Sequence, residues 1–324
     1  MSTKTATARA NPNLAFIKYW GNADDQLRLP ANSSLSMNLD GLYTQTTVTW
    51  RSDLTQDELV LNGQAETGKA LQRVAAHLDA LRQRLKLKDY ALVESQNNFP
   101  MGTGIASSAS SFAALTVAAA AGQQLSEREL STLARLGSGS AARSVPTGFV
   151  EWHAGETHEA AFAESVAPPE HWDLVDVVAV VSRQHKVVSS KEGHPTAATS
   201  DLQAARVAGA AQRLKTCKEA LLARDFSTLA EVIERDSNLM HAVMMTSRPP
   251  LFYWLPPTLA IMEQVRQWRA DGWQVCYTLD AGPNVHCVCV KKDVEAVKQG
   301  LSAMPGVVEV LVAGVGGPAH RLNS

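Results

Sequence analysis

Asn98-Phe99-Pro100-Met101-Gly102-Thr103-Gly104-Ile105-Ala106-Ser107-Ser108-Ala109-Ser110-Ser111-Phe112 leads two glycines and a run of small residues into Phe112-Ala113-Ala114-Leu115-Thr116-Val117. The latter reads as the body of a buried helix. Glycine lets a backbone approach a ligand closely. The first turn of a helix offers unpaired N–H groups and partial positive charge. Together they make an anion site, with serine hydroxyls as further donors or magnesium ligands. The alternative is an ordinary loop before an alanine-rich core helix. No Gly-Lys-Ser/Thr follows the glycines, so this is not a Walker A loop.

Upstream of that segment the chain is β-rich. Leu14 to Trp20 is apolar and β-prone, Leu42 to Trp50 is rich in Thr, Val and Tyr, and Leu59 to Leu61 meets an Asn62-Gly63 turn signal. Leu71, Val74, Ala75, Leu78, Leu81 and Leu85 then share one face of an amphipathic helix. Downstream, Ser126-Glu127-Arg128-Glu129 is a capping box opening a helix that stops at Gly137. Phe149 to Trp152 and Val175 to Ser182 read as strands joined through Pro168-Pro169. Residues 201–245 read as two helices, the second starting at Ser227. Pro256-Pro257 opens a helix from Thr258 to Ala270, closed by Gly272. A hairpin (Val275 to Asp280, Val285 to Val290), a helix and a strand from Val307 to Val312 end this mixed α/β order, with a boundary near 185–200.

The chain has 324 residues, which suits two domains. It is 45% hydrophobic and 19% charged, as a soluble globular protein is. A net charge of -2 gives no basic footprint for nucleic acid or an anionic membrane. No apolar run reaches membrane-spanning length. Met1-Ser2-Thr3-Lys4-Thr5-Ala6 lacks an apolar signal-peptide core, so a cytoplasmic location is expected. None of Cys217, Cys276, Cys287 and Cys289 forms a Cys-x-x-Cys pair, and they read as small core residues rather than a disulfide framework. The nine histidines show no zinc-ligand spacing.

Four further segments carry polar chemistry. Lys18 ends the apolar stretch Asn13-Leu14-Ala15-Phe16-Ile17. It is either a solvated edge charge or an ammonium aimed at an anionic ligand or a catalytic carboxylate. Arg143, among the small residues Ser138-Gly139-Ser140-Ala141-Ala142, is either a surface arginine on a turn or a guanidinium set to grip a carboxylate or phosphate. Ser189-Ser190-Lys191 is a solvated loop or a phosphate contact. Asp280 in Asp280-Ala281-Gly282-Pro283-Asn284 is an Asx-turn residue or a carboxylate that handles a substrate hydroxyl.

In combination, these segments resemble the diphosphomevalonate (mevalonate diphosphate) decarboxylase family of the GHMP kinase superfamily. The resemblance is carried by Asn13-Leu14-Ala15 with Lys18-Tyr19-Trp20-Gly21, and by Leu29-Pro30 with Asn32-Ser33-Ser34-Leu35-Ser36. It continues through Asn98-Phe99-Pro100 with Ala106-Ser107-Ser108-Ala109-Ser110, and Ser138 to Ser144 with Gly148-Phe149-Val150-Glu151-Trp152. His241-Ala242, Pro249-Pro250 and Asp280-Ala281-Gly282-Pro283-Asn284 complete it.

The resemblance implies an α+β, GHMP-kinase-type fold of two domains, 1–187 and 188–324. The first half is ribosomal S5 domain 2-like with a left-handed βαβ unit; the second is ferredoxin-like. It implies a homodimer, and ATP with Mg²⁺ meeting a phosphorylated mevalonate between the halves. It implies phosphorylation of the tertiary C3 hydroxyl, then loss of that phosphate with carbon dioxide to leave an alkene. On this pattern Asp280, Lys18 and Arg143 are catalytic. Asn98, Gly104, Ala106, Ser107 and Ser108 hold ATP, with Ser107 reaching Mg²⁺. Asn13, Tyr19, Ser138, Gly139, Arg143, Ser190 and Lys191 meet the substrate.

The chain departs from the family pattern at Asn22, where lysine is usual, and at Lys191, where arginine is usual. Ala142, the Met101-Gly102-Thr103-Gly104-Ile105 loop and His194 also differ. Asn22 removes a cation, and Lys191 lacks the bidentate fork of arginine. Those two changes point to mevalonate 5-phosphate as substrate, giving isopentenyl phosphate, with mevalonate 5-diphosphate as the alternative. A C3 kinase without decarboxylation and a non-catalytic ATP-binding sensor are the competing readings. Asp280 argues against the kinase, and Lys18, Arg143 and Asp280 together argue against the sensor.

Overall fold

In the computed structural model of the chain, residues 4–99, 107–184 and 190–322 are described, with Lys4, Ser190 and Lys191 described in backbone only. The chain opens with β1 (Lys4–Ala10), β2 (Asn13–Ile17), β3 (Asn22–Asp24), β4 (Leu29–Pro30), β5 (Ser34–Asn38) and β6 (Thr44–Arg51). There follow β7 (Glu58–Leu61), β8 (Gln64–Glu66), α1 (Lys69–Leu85), β9 (Tyr90–Asn97), α2 (Ser107–Ala119), α3 (Glu127–Gly137), β10 (Phe149–Trp152) and β11 (Ala163–Ala167). The remainder is β12 (Leu174–Val180), α4 (Ser190–Gly193), α5 (Gln203–Ala208), α6 (Ala210–Ala223), α7 (Phe226–Thr246) and α8 (Pro256–Ala270), then β13 (Val275–Thr278), β14 (Val285–Val290), α9 (Val294–Ala303), β15 (Glu309–Ala313) and β16 (His320–Leu322).

Local chemistry accounts for the first half. Asn62 and Gly63 take φ of 51° and 82°, the left-handed pair that a two-residue hairpin between β7 and β8 demands. Strand β6 buries every second residue, as a half-covered sheet requires. Ser126 caps α3 with the reciprocal Glu129 bond of a capping box. Helix α2 is buried from Phe112 to Ala119, because alanine and small residues let it pass under the sheet without bulk. The large sheet runs β16-β1-β6-β9-β7-β8, with β7 and β9 a parallel pair joined across α1. A second sheet, β11-β10-β5-β2, aligns Asn13 with Asn38 and Trp152 with Ser34.

The third sheet, β13-β14-β12-β15, is antiparallel and packs on α7, α8 and α9. Strand β12, which precedes the expected division at 187/188, belongs to this sheet. In the opposite sense, β16 returns from the C-terminus to pair with β1. One of the hydrophobic clusters therefore spans both halves: Leu14, Phe16 and Leu35 lie in it with Val178, Leu229, Ile233 and Val288. None of the helices among the described residues is long and apolar enough to cross a membrane.

Three local expectations change. Strand β11 is an addition, hidden because its middle residues face solvent and carry no apolar alternation. The region after 200 holds three helices, divided at Gly209, where a Cβ would meet Arg213 Nη1 at 2.6 Å. Helix α7 starts at Phe226, one residue before Ser227, because Asp225 is its cap and accepts from the Thr228 N–H at 3.2 Å.

Gly137 closes α3 against α2, and a Cβ there would stand 2.0 Å from Phe112 Cδ1. Gly137→Ala is expected to displace that ring and lose about 1–3 kcal/mol of stability; urea unfolding measures it.

Candidate active site

The site begins where β2 ends. Lys18 is 1% exposed, and its Nζ lies 2.8 Å from Oδ1 of Asp280, whose side chain remains 24% exposed. Asp280 stands two residues past β13, so the pair ties the end of a first-half strand to the end of a second-half strand. Burial raises the Asp280 carboxyl, but Lys18, His286 and Arg143 together bring it below the usual carboxylate range. Asp280 is thus ionised, and its exposed edge is open to a ligand.

The backbone of Lys18 is held as firmly as its side chain. Its N–H donates to Asp236 Oδ2 at 2.6 Å, and its carbonyl accepts from Asn32 Nδ2 at 3.0 Å. Asp236 also accepts from Arg213 Nε at 2.6 Å. Arg206 Nη2 donates to Asn32 Oδ1 at 2.9 Å and to the Trp20 carbonyl at 2.5 Å. Asp236, Arg206 and Arg213 are functional residues that the sequence reading missed. A signal existed: Leu229, Ile233, Asp236, Met240 and Met244 form the buried stripe of α7, and a carboxylate in such a stripe needs a buried partner.

Arg143 is almost fully buried on the turn after α3. Its Nε donates to Asn13 Oδ1 at 3.1 Å and its Nη1 to Ser34 Oγ at 2.6 Å. Asn13 in turn donates to the Ser140 carbonyl and to Ser144 Oγ. Asn13, expected to meet substrate, therefore has its amide engaged in orienting Arg143. Nη2 of Arg143 has no partner among the described residues. Burial lowers this guanidinium to about 10, against the pull of Asp280 and Tyr19, so it is cationic near neutrality.

Tyr19 packs edge-on to Trp152, with ring centroids 4.7 Å apart, and against His194 at 4.2 Å. His194 Nδ1 accepts from the Gly21 N–H at 3.1 Å, which fixes the Tyr19-Trp20-Gly21 turn. A Cβ on Gly139 would fall 2.6 Å from the Tyr19 hydroxyl, so only glycine fits there. Ser138 Oγ lies 3.1 Å from Ser108 Oγ, linking this turn to the start of α2.

Beside α2 is a cavity of about 190 Å³ with apolar walls that include Leu61, Val74 and Leu115; Arg73, Ser107 and Ser108 also line it. Ser107 and Ser108 occupy the first turn of α2, as an anion site requires. Gly104 and Ala106 lie outside the described residues, and so do the side chains of Ser190 and Lys191, whose backbone forms α4. Asn98, expected to hold ATP, is bonded to a neighbouring turn. Its amide donates to the Gly41 carbonyl and accepts from the Tyr43 N–H, both at 2.7 Å, so it pins a turn and does not line the cavity.

Fold and site together define an ATP-using enzyme of the GHMP type. The diphosphomevalonate decarboxylase-like N-terminal domain matches residues 10–163, and the mevalonate 5-diphosphate decarboxylase C-terminal domain matches 176–310. The chain is 42% identical to diphosphomevalonate decarboxylase of Aspergillus fumigatus, over 93% of this chain and 80% of that one. It superposes at a TM-score of 0.93, with 38% identity over 100% of both chains, on MDDEF in complex with MVAPP, AMPPCP and magnesium. A structure concerning mevalonate diphosphate mediated ATP binding in the Enterococcus faecalis mevalonate diphosphate decarboxylase matches at 0.91, with 37% identity over 100% of both chains. The chain belongs to the diphosphomevalonate decarboxylase family and is an ATP-dependent decarboxylase of the mevalonate pathway.

Asp236→Asn would strip the buried Arg213 of its carboxylate and loosen Lys18. A loss of about 3 kcal/mol is expected, with kcat lowered by about ten- to hundred-fold; denaturant melts and steady-state kinetics check both. Lys18 favours the ionised form of Asp280. Lys18→Met should therefore move the acid limb of the residual kcat/KM profile to higher pH, and an unmoved limb would break the link between the two residues.

Proposed function

We propose that this protein converts mevalonate 5-diphosphate and ATP to isopentenyl diphosphate, ADP, phosphate and carbon dioxide. The observation that carries the reading is the buried Lys18–Asp280 pair, whose open carboxylate edge shares a site with the unfilled Nη2 of Arg143. The diphosphate replaces the monophosphate expected from Asn22 and Lys191, because the relatives matched across nearly the whole chain are named for the diphosphate. The structure also weakens the ground for the earlier expectation. Asn22 is engaged by the Tyr19 hydroxyl and by Asp25, and the Lys191 side chain lies outside the described residues.

Asp280 accepts the proton of the C3 hydroxyl as that oxygen attacks the γ-phosphorus of ATP. Lys18 holds Asp280 ionised and offsets the negative charge that builds at the oxygen. Ser107, Ser108 and the first-turn N–H groups of α2 receive the nucleotide phosphates, and the apolar cavity beside them receives the base. No group of three His, Cys, Asp or Glu side chains is arranged to hold a metal among the described residues. Phosphate oxygens and the Ser107 hydroxyl would hold Mg²⁺, which would supply charge neutralisation at the transferring group. Arg143 grips the substrate carboxylate and aligns its C1–C2 bond. When the C3–O bond breaks, its electron pair leaves with the phosphate, and the C1–C2 pair becomes the alkene as carbon dioxide departs. The family resemblance also supports a cytoplasmic homodimer.

Steady-state kinetics with ATP and Mg²⁺ on the diphosphate and the monophosphate, following ADP and carbon dioxide together, test this reading. Equal release of both products, with higher kcat/KM on the diphosphate, is expected. Preference for the monophosphate overturns the substrate, and ADP without carbon dioxide overturns the decarboxylation.

A further inference from the structure

The two faces of the third sheet differ. Val177, Val275, Tyr277, Leu279 and Cys287 pack in one cluster with residues of α8 and α9. Val178, Cys276 and Val288 pack in another with residues of α7 and β2. Odd and even positions therefore take opposite faces, as the pleat of a strand requires. Three ionisable residues interrupt the even face: Asp176, His286 and Asp280. Leu279 keeps to the odd face, so Asp280, the next residue, falls on the even one, where Lys18 reaches it from the end of β2.

Strand register sets these three in a line. His286 lies opposite Val178 of β12 on one side and opposite Thr278 of β13 on the other. Asp176 is two residues before Val178, and Asp280 is two residues after Thr278. The two aspartates therefore flank His286 as diagonal cross-strand neighbours, a relation that spans about 7–8 Å and is within reach of a ring. One diagonal is closed by contact: His286 Nδ1 lies 2.7 Å from Asp176 Oδ2, and both side chains are buried. The other diagonal leads to Asp280. The second ring nitrogen, Nε2, is buried and has no hydrogen-bond partner among the described residues.

Stability does not account for such a pair. A buried ion pair adds little relative to apolar side chains of similar volume, and Val178, Val180 and Val288 fill the rest of this face. Charge runs the same way as the register. Burial lowers the imidazole, but Asp176 and Asp280 bring it above the usual histidine range. Burial raises the Asp280 carboxyl, and Lys18 and His286 are the charges that most lower it. The other ionisable groups on the elements packed here are engaged or neutral. Glu234 and Asp236 of α7 bind Arg269 and Arg213, and Glu309 of β15 binds Arg183. His241 of α7 is pushed down to about 4 by burial.

We propose that His286, seated on Asp176, is a positioning residue for the reaction: a buried imidazolium behind Asp280 that, with Lys18, keeps this carboxylate ionised and ready to accept the proton of the C3 hydroxyl. This rests on the role given to Asp280 above. The order of charges is then alternating, with Asp176, His286, Asp280 and Lys18 each next to its opposite, and the two aspartates are kept from repelling one another.

The test is the pH profile of kcat/KM for the diphosphate in the full chain, in His286→Gln, in Asp176→Asn and in the double variant, with ATP varied separately. The His286 charge is present below its raised pKa and is lost as pH rises. His286→Gln is therefore expected to lower kcat/KM by about three- to tenfold on the acid side and by less than about twofold on the alkaline side, its acid limb moving to higher pH. Asp176→Asn removes the counter-charge of the imidazole and should move the limb the same way. The double variant leaves neither charge of the pair buried alone, so it carries the test if a single variant fails to fold. Its loss should stay within about twofold of that of His286→Gln. A drop of equal size at every pH, or one confined to KM for ATP, overturns the role of His286 and leaves the reaction intact. Asp280→Asn turning over at the unsubstituted rate overturns the role of Asp280, and this proposal with it.

Discussion

The buried contact between Lys18 and Asp280 is the constraint on which the site depends. Removing two charges from water is expensive, and such a pair adds little stability relative to apolar side chains of similar volume. Here it fixes the end of β2 against the end of β13, leaving one carboxylate edge open. The surrounding bonds all serve that placement. Asp236 holds the Lys18 N–H, Asn32 holds its carbonyl, and Arg206 and Arg213 brace both acceptors from the helices behind. A lysine held at backbone and ammonium cannot swing into solvent. The lysine charge beside Asp280 is therefore in place before any ligand arrives, which is the condition for electrostatic catalysis.

Around this pair, charge is distributed by role. Arg28 and Arg73 are bonded to backbone carbonyls, and Arg143 to Asn13 and Ser34. Arg206 and Arg213 lie behind Lys18 and are spent on backbone and Asp236. His241 is lowered to about 4 by burial and by Lys18, so it is neutral and adds no competing cation next to Asp280. The four thiols are buried and pushed upward by that burial, and they serve as packing rather than as nucleophiles.

Local structure was legible wherever the cause is local. The Asn62-Gly63 hairpin, the Ser126–Glu129 box, the apolar face of α1 and the break at Gly272 all follow from neighbours within a few residues. Lys18, Arg143 and Asp280 could be nominated from their small, apolar surroundings, but not paired, because Lys18 and Asp280 are 262 residues apart in sequence. Asp236 was hidden for a related reason: its carboxylate serves a backbone N–H 218 residues away, and no spacing rule covers such a contact. Strand β16 was missed because a three-residue strand has no period of its own and exists only by pairing with β1. Asn98 has a part that its neighbours in sequence do not reveal: beside a glycine-rich loop it reads as a ligand contact, and its amide also pins the turn at Gly41–Tyr43.

The same distinction separates the two views of the substrate. Asn22 was weighed as a lost cation at one sequence position, as though recognition of a phosphate belonged to that position. A phosphate responds to the summed field of every charge within reach, whichever element supplies it. In this fold the turn between β3 and β4 brings Arg28, six residues after Asn22 in sequence, to the Leu136 carbonyl at the end of α3. Asn22 meanwhile accepts from the Tyr19 hydroxyl and donates to Asp25 by its amide. A lysine absent at β3 has therefore to be weighed beside the arginine at the adjoining turn. Substitution counts along the chain register only the loss.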